Sequence, residues 1–373
     1  MSLVLSQEQT MLRDAAAGYL ADHAPVAQLR RLRDDDVADG FDRATWAAMA
    51  EMGWAGVLIP EDHGGVGLGM LEAGLIAEEM GRTLTASPFL STAVLGATAL
   101  VRHGSAAQRA EWLPRIAAGT ALTALAVDES RRHVPETVAT RARRHGNGFR
   151  LNGAKTFVID AHVADALLVS ARTAAGITLF LVPAGTPGVT VDRTRMVDER
   201  NAGRVTLSDV DLTADAVLGD VDGGAAVLRT VLNAGRAALA AEMSGAAQEA
   251  TARSIAYIKD RTQFGARVGS FQALQHRAAH LYTETELGRS IVMKALMALD
   301  ADAPDAELLV SAAKAKLGQV AQLAAREAVQ FHGGVGMTDA VDIGFFMKRI
   351  RAAEAHLGDA NFHADRFARL RGY

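Results

Sequence analysis

Apolar residues recur at helical spacing along the first third of the chain. The stretch 7–20 carries them on one face, with Ser6 placed as its N-cap, and 43–52 and 70–80 repeat the pattern. Between the last two, GWAGVLIPEDHGGVGLG (53–69) loses the period to Pro60 and a set of glycines, and reads as a loop. From 121 to about 218 the period shortens. Runs at 121–127, 149–159, 164–172, 177–183 and 188–194 read as strands, separated by turn residues such as Gly146-Asn147-Gly148 and Asn152-Gly153. This spacing predicts an antiparallel barrel or sandwich. From about 222 the helical period returns in long segments, 223–260, 272–299, 306–331 and 343–370, which predict a four-helix bundle. Their alanine and glycine content lets helix backbones approach closely.

The predicted fold is therefore α+β and multidomain. It has an N-terminal helical domain (1–120), a central antiparallel β-barrel (121–220) and a C-terminal four-helix bundle (221–373). Strands are not interleaved with helices, which disfavours a doubly wound sheet. Gly65-Val66-Gly67-Leu68-Gly69 is then a structural turn, because no strand–turn–helix context makes it a dinucleotide loop. A chain of 373 residues with 49% hydrophobic and 22% charged residues can bury a sizeable core. The net charge of -4 argues against nucleic acid as a partner. The absence of cysteine excludes disulfides, thiolate nucleophiles and cysteine-held iron–sulfur clusters. No secretory signal or membrane span is read, so a cytoplasmic protein is expected. His356 and His363 have no metal-ligand spacing, and no metal is expected.

Two C-terminal segments carry candidate chemistry. YIKDRTQFGARVGSFQALQHRAAHL (257–281) ends one helix, turns at Phe264-Gly265 and starts another. Arg261 there suits a phosphate, and the free N–H groups at the helix start beside Gln272 favour an anion. Gln330-Phe331-His332-Gly333-Gly334-Val335-Gly336 ends a helix with adjacent glycines that admit a planar or phosphate group close to the backbone. Each alone also reads as a plain helical hairpin or a helix C-cap.

Together with GWAGVLIPEDHGGVGLG and NGFRLNGAKTFV, these segments resemble the acyl-CoA dehydrogenases over essentially the whole chain. The resemblance implies a tetramer, a dimer of dimers, that binds FAD at a subunit interface. It places a neighbour's ADP half on Arg261, Gln263, Phe264 and Gln272, and on Gln330, Gly333 and Gly334. It implies an acyl-CoA substrate, with a glutamate removing the α proton and the β hydrogen leaving as hydride to the flavin. Electron-transfer flavoprotein is the implied acceptor.

The chain departs from the family at the base. In many members the glutamate lies in a C-terminal segment that here reads His356-Leu357-Gly358-Asp359, with Leu357 at the base position. Other members place it before an arginine on the first bundle helix, which here reads Gly235-Arg236. Neither Leu357 nor Gly235 can take a proton. Glu242, about two helical turns beyond Gly235, and Asp359 are the candidate substitutes. The segment that lines the flavin ring also departs, as Val127-Asp128-Glu129-Ser130-Arg131-Arg132-His133, and so does Phe157-Val158-Ile159-Asp160, where a threonine hydroxyl is lost. Features that support a neighbour's FAD are kept while those for the chain's own flavin ring and base are eroded. This favours a non-catalytic, FAD-supporting subunit of a heteromer, paired with a catalytic acyl-CoA dehydrogenase chain. The alternatives are a self-sufficient homomeric dehydrogenase with a displaced acidic base, and a flavin oxygenase on the same scaffold. The basic cluster Arg131, Arg132, Arg141, Arg143 and Arg144 reads as a solvated turn or a contact for the CoA 3′-phosphate, and His332 as packed or touching the cofactor.

Overall fold

In a computed structural model, residues 3–373 are described. Its elements fall into two compact units that are discontinuous in sequence. One comprises the chain up to Arg31, Met70–Thr85 and Arg236–Tyr373; the other comprises Leu32–Gly69 and Ala86–Gly235.

The first unit is helical. It opens with α1 (Gln7–His23), where Ser6 accepts from Gln9 N and Gln9 returns a bond to Ser6 N, a full capping box. α4 (Met70–Thr83) lies against the central part of α7 (Gly224–Asp260) at backbone distance. A Cβ on Gly245 would sit 1.7 Å from the Glu78 carbonyl oxygen, and one on Gly81 2.0 Å from that of Glu242. Only glycine permits this approach, as the composition of these helices led us to expect. α8 (Gln272–Asp300) and α9 (Ala306–His332) follow as expected.

The segment 343–370 is two helices, α10 (Ile343–Ala355) and α11 (Ala360–Leu370), where the apolar period predicts one. Leu357 (φ 58°) and Gly358 (φ 103°) both adopt left-handed backbone. Asp359 restarts the helix as an N-cap, its carboxylate accepting from Phe362 N at 2.7 Å. The apolar period runs through the break because α10 and α11 both pack on α9.

The second unit holds an eight-stranded sheet with α3 (Arg43–Glu51), a wide-turned helix Phe89–Gly96, α5 (Ala97–His103) and α6 (Ala106–Ala117). α2 (Val26–Asp34) runs across the boundary between the units in sequence. The strands are β1 (Thr123–Ala126), β2 (Arg141–His145), β3 (Gly148–Ile159), β4 (Ala166–Arg172), β5 (Ile177–Pro183), β6 (Val189–Arg195), β7 (Asn201–Leu212) and β8 (Val217–Leu218). Most pairings are antiparallel, but β1 and β2 each run parallel to β4. The sheet is thus mixed where an antiparallel barrel was expected. The connection 127–140 is long enough to reverse the chain direction that a tight hairpin would impose. Phe149, Leu151, Val169, Phe180, Val205 and Val210 are among the residues that fill its core from alternate positions.

Gly65 confirms the structural reading of its loop, since a Cβ there would lie 2.0 Å from the Ile59 carbonyl oxygen. No helix among the described residues is long and apolar enough to cross a membrane.

Candidate functional site

Three helix ends of the first unit meet. The C-terminal end of α7 and that of α9 touch through Tyr257 and His332, whose rings stack at 4.3 Å between centroids with an interplanar angle of 23°. The start of α8 reaches α9 through Arg277, which bonds Glu327 at 2.7 Å and lies over the Phe331 ring. The two sequence segments singled out for a nucleotide are therefore side by side.

Arg261 follows the last residue of α7 and is exposed. Its guanidinium makes no ion pair among the described residues. The hairpin β9 (Thr262–Gln263) and β10 (Ala266–Arg267) brings Gln263 out to solvent. Phe264 is 90% exposed at its tip, in left-handed backbone (φ 54°), with its ring edge against Phe271. Gln272 is the first residue of α8, where backbone N–H groups lack intrahelical partners. Gln330 is exposed in the last turn of α9. Gly333 closes that helix at φ 63°, and a Cβ on Gly333 or Gly334 would meet nothing within 4 Å. An open cradle, an unpaired guanidinium and an exposed aromatic thus lie on neighbouring helix ends. Behind the stack lies a cavity of about 360 Å³ lined by Arg253, Tyr257, His332 and residues 340–343.

Of the two positions where a base is expected from the resemblance, Leu357 lies in the first unit and Gly235 is the last residue of the second. Leu357 is 4% exposed, and its carbonyl accepts from Arg236 Nε at 3.1 Å and from His363 Nε2 at 3.0 Å. Gly235 is the residue before Arg236 on α7. Lys314 is fully buried and donates to the carbonyls of Ala353, Glu354 and Gly358 at 3.1, 2.8 and 2.9 Å. Arg236, His363 and Lys314, all buried, thus donate to the backbone of the turn around Leu357. The structure engages both substitute acids. Glu242 is buried and bidentate with Arg349, Nε–Oε1 at 2.7 Å and Nη2–Oε2 at 2.9 Å. Asp359 is exposed and serves as the α11 cap.

Burial lowers the Lys314 ammonium to about 7, with the Glu354 carboxylate opposing and Arg236 adding to the shift. His363 is 0% exposed and lowered to about 2, by burial first and then by Arg236 and Lys314. Its Nε2 donates to Leu357, so a second proton would go to Nδ1, which is buried without a partner. The unfolded chain takes that proton near pH 6.5 and the folded chain does not. His363 therefore holds stability that is full above pH 6.5 and falls by about 1.4 kcal/mol per pH unit below it. The His363→Phe variant should lose this acid slope in urea melts between pH 6.5 and 4.5. An unchanged slope would mean that other groups set it.

The second unit carries the segment expected to line the flavin ring. There Glu129 accepts from Ala139 N at 2.5 Å, Thr140 N at 2.9 Å and Lys155 Nζ at 2.7 Å. Lys155 also donates to Ser170 Oγ and the Val127 carbonyl. Burial alone would raise the Glu129 carboxyl, but the bonds from Lys155 and Thr140 outweigh it and hold it below its usual range. Asp128 pairs with His133 Nδ1 at 2.8 Å. Both acids of the loop are engaged, Glu129 by the Ala139 and Thr140 N–H groups and Lys155, and Asp128 by His133. Phe157, half exposed in left-handed backbone (φ 52°), and Ile159 follow on β3. The basic run 141–145 is strand β2, with Arg144 over the Phe149 ring.

Sequence reasoning missed Lys155 and Lys314. Their signal is positional. Lys155 continues the inward alternation of Phe149, Leu151 and Gly153, and Lys314 shares helical spacing with Val310, Leu317 and Ala321.

Comparison with known proteins gives three adjoining family matches. The acyl-CoA dehydrogenase N-terminal domain matches residues 6–120, its middle domain 124–210 and its C-terminal domain 222–370. Acyl-CoA dehydrogenase FadE12 of Mycobacterium tuberculosis is 32% identical over 94% of this chain and 92% of its own. Among solved structures, the Tcur3481-Tcur3483 steroid ACAD is similar at 32% identity and TM-score 0.89, covering 98% of each chain. The ChsE4-ChsE5 complex of Mycobacterium tuberculosis is similar at 28% identity and TM-score 0.90, covering 100% of each. On this evidence the chain belongs to the acyl-CoA dehydrogenase family of FAD-dependent oxidoreductases.

Proposed function

We propose that this chain is the non-catalytic, FAD-supporting subunit of a heteromeric acyl-CoA dehydrogenase, assembled as a tetramer with a chain that keeps the catalytic carboxylate. The observation that carries the reading is at the base. Leu357 and Gly235 carry no carboxylate, Glu242 is bound bidentate to Arg349, and Asp359 is exposed and used as a helix cap. A general base must reach the substrate's α proton with a free lone pair. Glu242 is buried with both oxygens held by Arg349, and Asp359 faces solvent.

The residues expected to hold the ADP half of FAD fit that group. Arg261 offers a guanidinium with no ion pair among the described residues, the start of α8 offers the N–H groups of Gln272 and Ala273, and Gly333 and Gly334 leave open space against the backbone. FAD supplies the redox chemistry, taking up the hydride that leaves the β carbon. This chain's part is to bind and orient the nucleotide half, and Phe264 at its exposed hairpin tip adds an aromatic surface. The flavin-ring segment of the second unit is closed by the Lys155–Glu129 and Asp128–His133 pairs. That supports a flavin ring held by the partner chain. The similar ChsE4-ChsE5 structure is a complex of two proteins, and the reading extends that arrangement to this chain.

The partner chain supplies the base, an acyl-CoA thioester is the substrate and electron-transfer flavoprotein the acceptor. Co-expression with a family member that keeps its glutamate tests the assembly. A mixed tetramer that retains FAD, against a chain that retains little FAD alone, is expected. A homotetramer carrying one FAD per chain would contradict it and return the search to a displaced base.

A further inference from the structure

α10 ends at Ala355, so the carbonyls of its last turn run out of helical N–H partners. Ala352 accepts from His356 N at 3.1 Å. The next two carbonyls are capped from another helix. Lys314 on α9 donates to Ala353 at 3.1 Å and to Glu354 at 2.8 Å, and it reaches across the turn to Gly358 at 2.9 Å. A cation placed there also meets the negative end of the α10 dipole. The Leu357 carbonyl between them is taken by Arg236 Nε and His363 Nε2.

This geometry fixes the charge that Lys314 carries. Three accepting carbonyls need three N–H groups, and only the ammonium has three. A free amine has two, and it turns a lone pair toward the third carbonyl. Lys314 is fully buried, so bulk water is not at hand to replace the lost bond. Burial is also the largest influence on its proton and lowers it to about 7. Among the surrounding charges, Glu354 and Asp359 favour the ammonium, while Arg236 on α7 and Arg349 on α10 oppose it. His363 on α11 faces the same cluster and stays neutral at these pH values, since burial, Arg236 and Lys314 hold it down to about 2.

We propose that Lys314 is a proton-dependent clasp for the α10–α11 turn: its ammonium ties the end of α10 to Gly358, and its free amine lets Gly358 go. Ala353 and Glu354 sit together on one helix end, within reach of a two-donor amine. Gly358 lies across the turn in left-handed backbone (φ 103°) and is the carbonyl released. Asp359 still caps α11, and the Glu354 carboxylate still accepts from Ala360 N at 3.1 Å, so the loosening is confined to the turn that carries Leu357. The inference is independent of the subunit reading, because it concerns only the packing of α7, α9, α10 and α11.

Hydrogen–deuterium exchange of the purified full chain reads the clasp, in peptides covering residues 352–363 and corrected for the intrinsic pH dependence of exchange. Between about pH 6 and about pH 9, protection of this segment should fall about tenfold, the effect of leaving one buried carbonyl unpaired. The middle of α7 should keep its protection. Whole-chain stability moves the other way. The unfolded lysine keeps its proton up to its ordinary value near 10.5 while the folded one loses it near 7, so the Lys314 contribution to the urea midpoint rises across that window. Local loosening without a falling midpoint therefore separates the clasp from general unfolding. Two variants flatten the profile at opposite ends. Lys314→Met, which fills space without a donor, should exchange fast at both pH values. Lys314→Arg, charged throughout, should stay protected at both. If Lys314→Met does not fold, the parent and Lys314→Arg carry the test. Unchanged protection in the parent would overturn the proposal. So would a pH dependence that persists in either variant, which would belong to another group of the turn such as His356.

Discussion

Replacing Glu242 with alanine should cost the protein about 3–5 kcal/mol of stability. The carboxylate is buried and shared bidentately with Arg349 across α7 and α10. Removing it strands a buried guanidinium, whose desolvation is no longer offset. Glu242→Gln keeps the shape and one acceptor and should cost less. If Glu242 were instead a catalytic base, the glutamine variant would fold as the parent does and lose flavin reduction. Chemical melts of both variants, read beside flavin binding, separate the roles. A parent-like midpoint for Glu242→Ala would contradict the structural assignment.

The second large effect is expected at Arg261. Its guanidinium has no ion pair among the described residues, and a short hairpin joins it to α8. A charge-assisted bond to phosphate is worth about 1.5–3 kcal/mol, so Arg261→Ala should weaken ADP or FAD binding roughly 10- to 100-fold. Melting behaviour should not change, because the side chain is exposed and leaves nothing unpaired behind. Arg261→Lys should recover only part of the affinity, since an ammonium cannot bind a phosphate through two parallel bonds. Equal affinity in all three proteins would remove Arg261 from the site.

Much of the fold was legible because its long helices and several of its strands are continuous segments bounded by turn residues. α7, α8 and α9 lie within a residue of their expected bounds, and β5 coincides with its predicted run. Of the sheet's strands, β2, β7 and the two-residue β8 were not read. β2 buries only Ala142 among Arg141, Arg143, Arg144 and His145, so its apolar signal is a single residue. β7 alternates Val205, Leu207 and Val210 with Arg204, Ser208 and Asp209, and a register shift against β3 breaks the strict period of two. The break in 343–370 was hidden for a different reason. Leucine at 357 looks like any core residue, and its left-handed backbone is set by tertiary bonds from Arg236 and His363.

The candidate site was legible as motifs and not as electrostatics. Glycines and a terminal arginine mark the proposed nucleotide half-site through local chemistry. Buried Lys155 and Lys314 draw their roles from carbonyls and carboxylates distant in sequence, so no local rule announces them. That neither Leu357 nor Gly235 can act as a base was visible from residue type alone, because neither side chain can hold a proton. That Glu242 is committed to Arg349 required the three-dimensional contact.

The most direct measurement is the visible absorption spectrum of this chain, purified alone and loaded with FAD under anaerobic conditions, before and after a panel of acyl-CoA thioesters. Persistence of the flavin band with every thioester, and bleaching once a glutamate-bearing partner is added, is the predicted result. Bleaching of the chain alone by any one thioester would contradict the non-catalytic role.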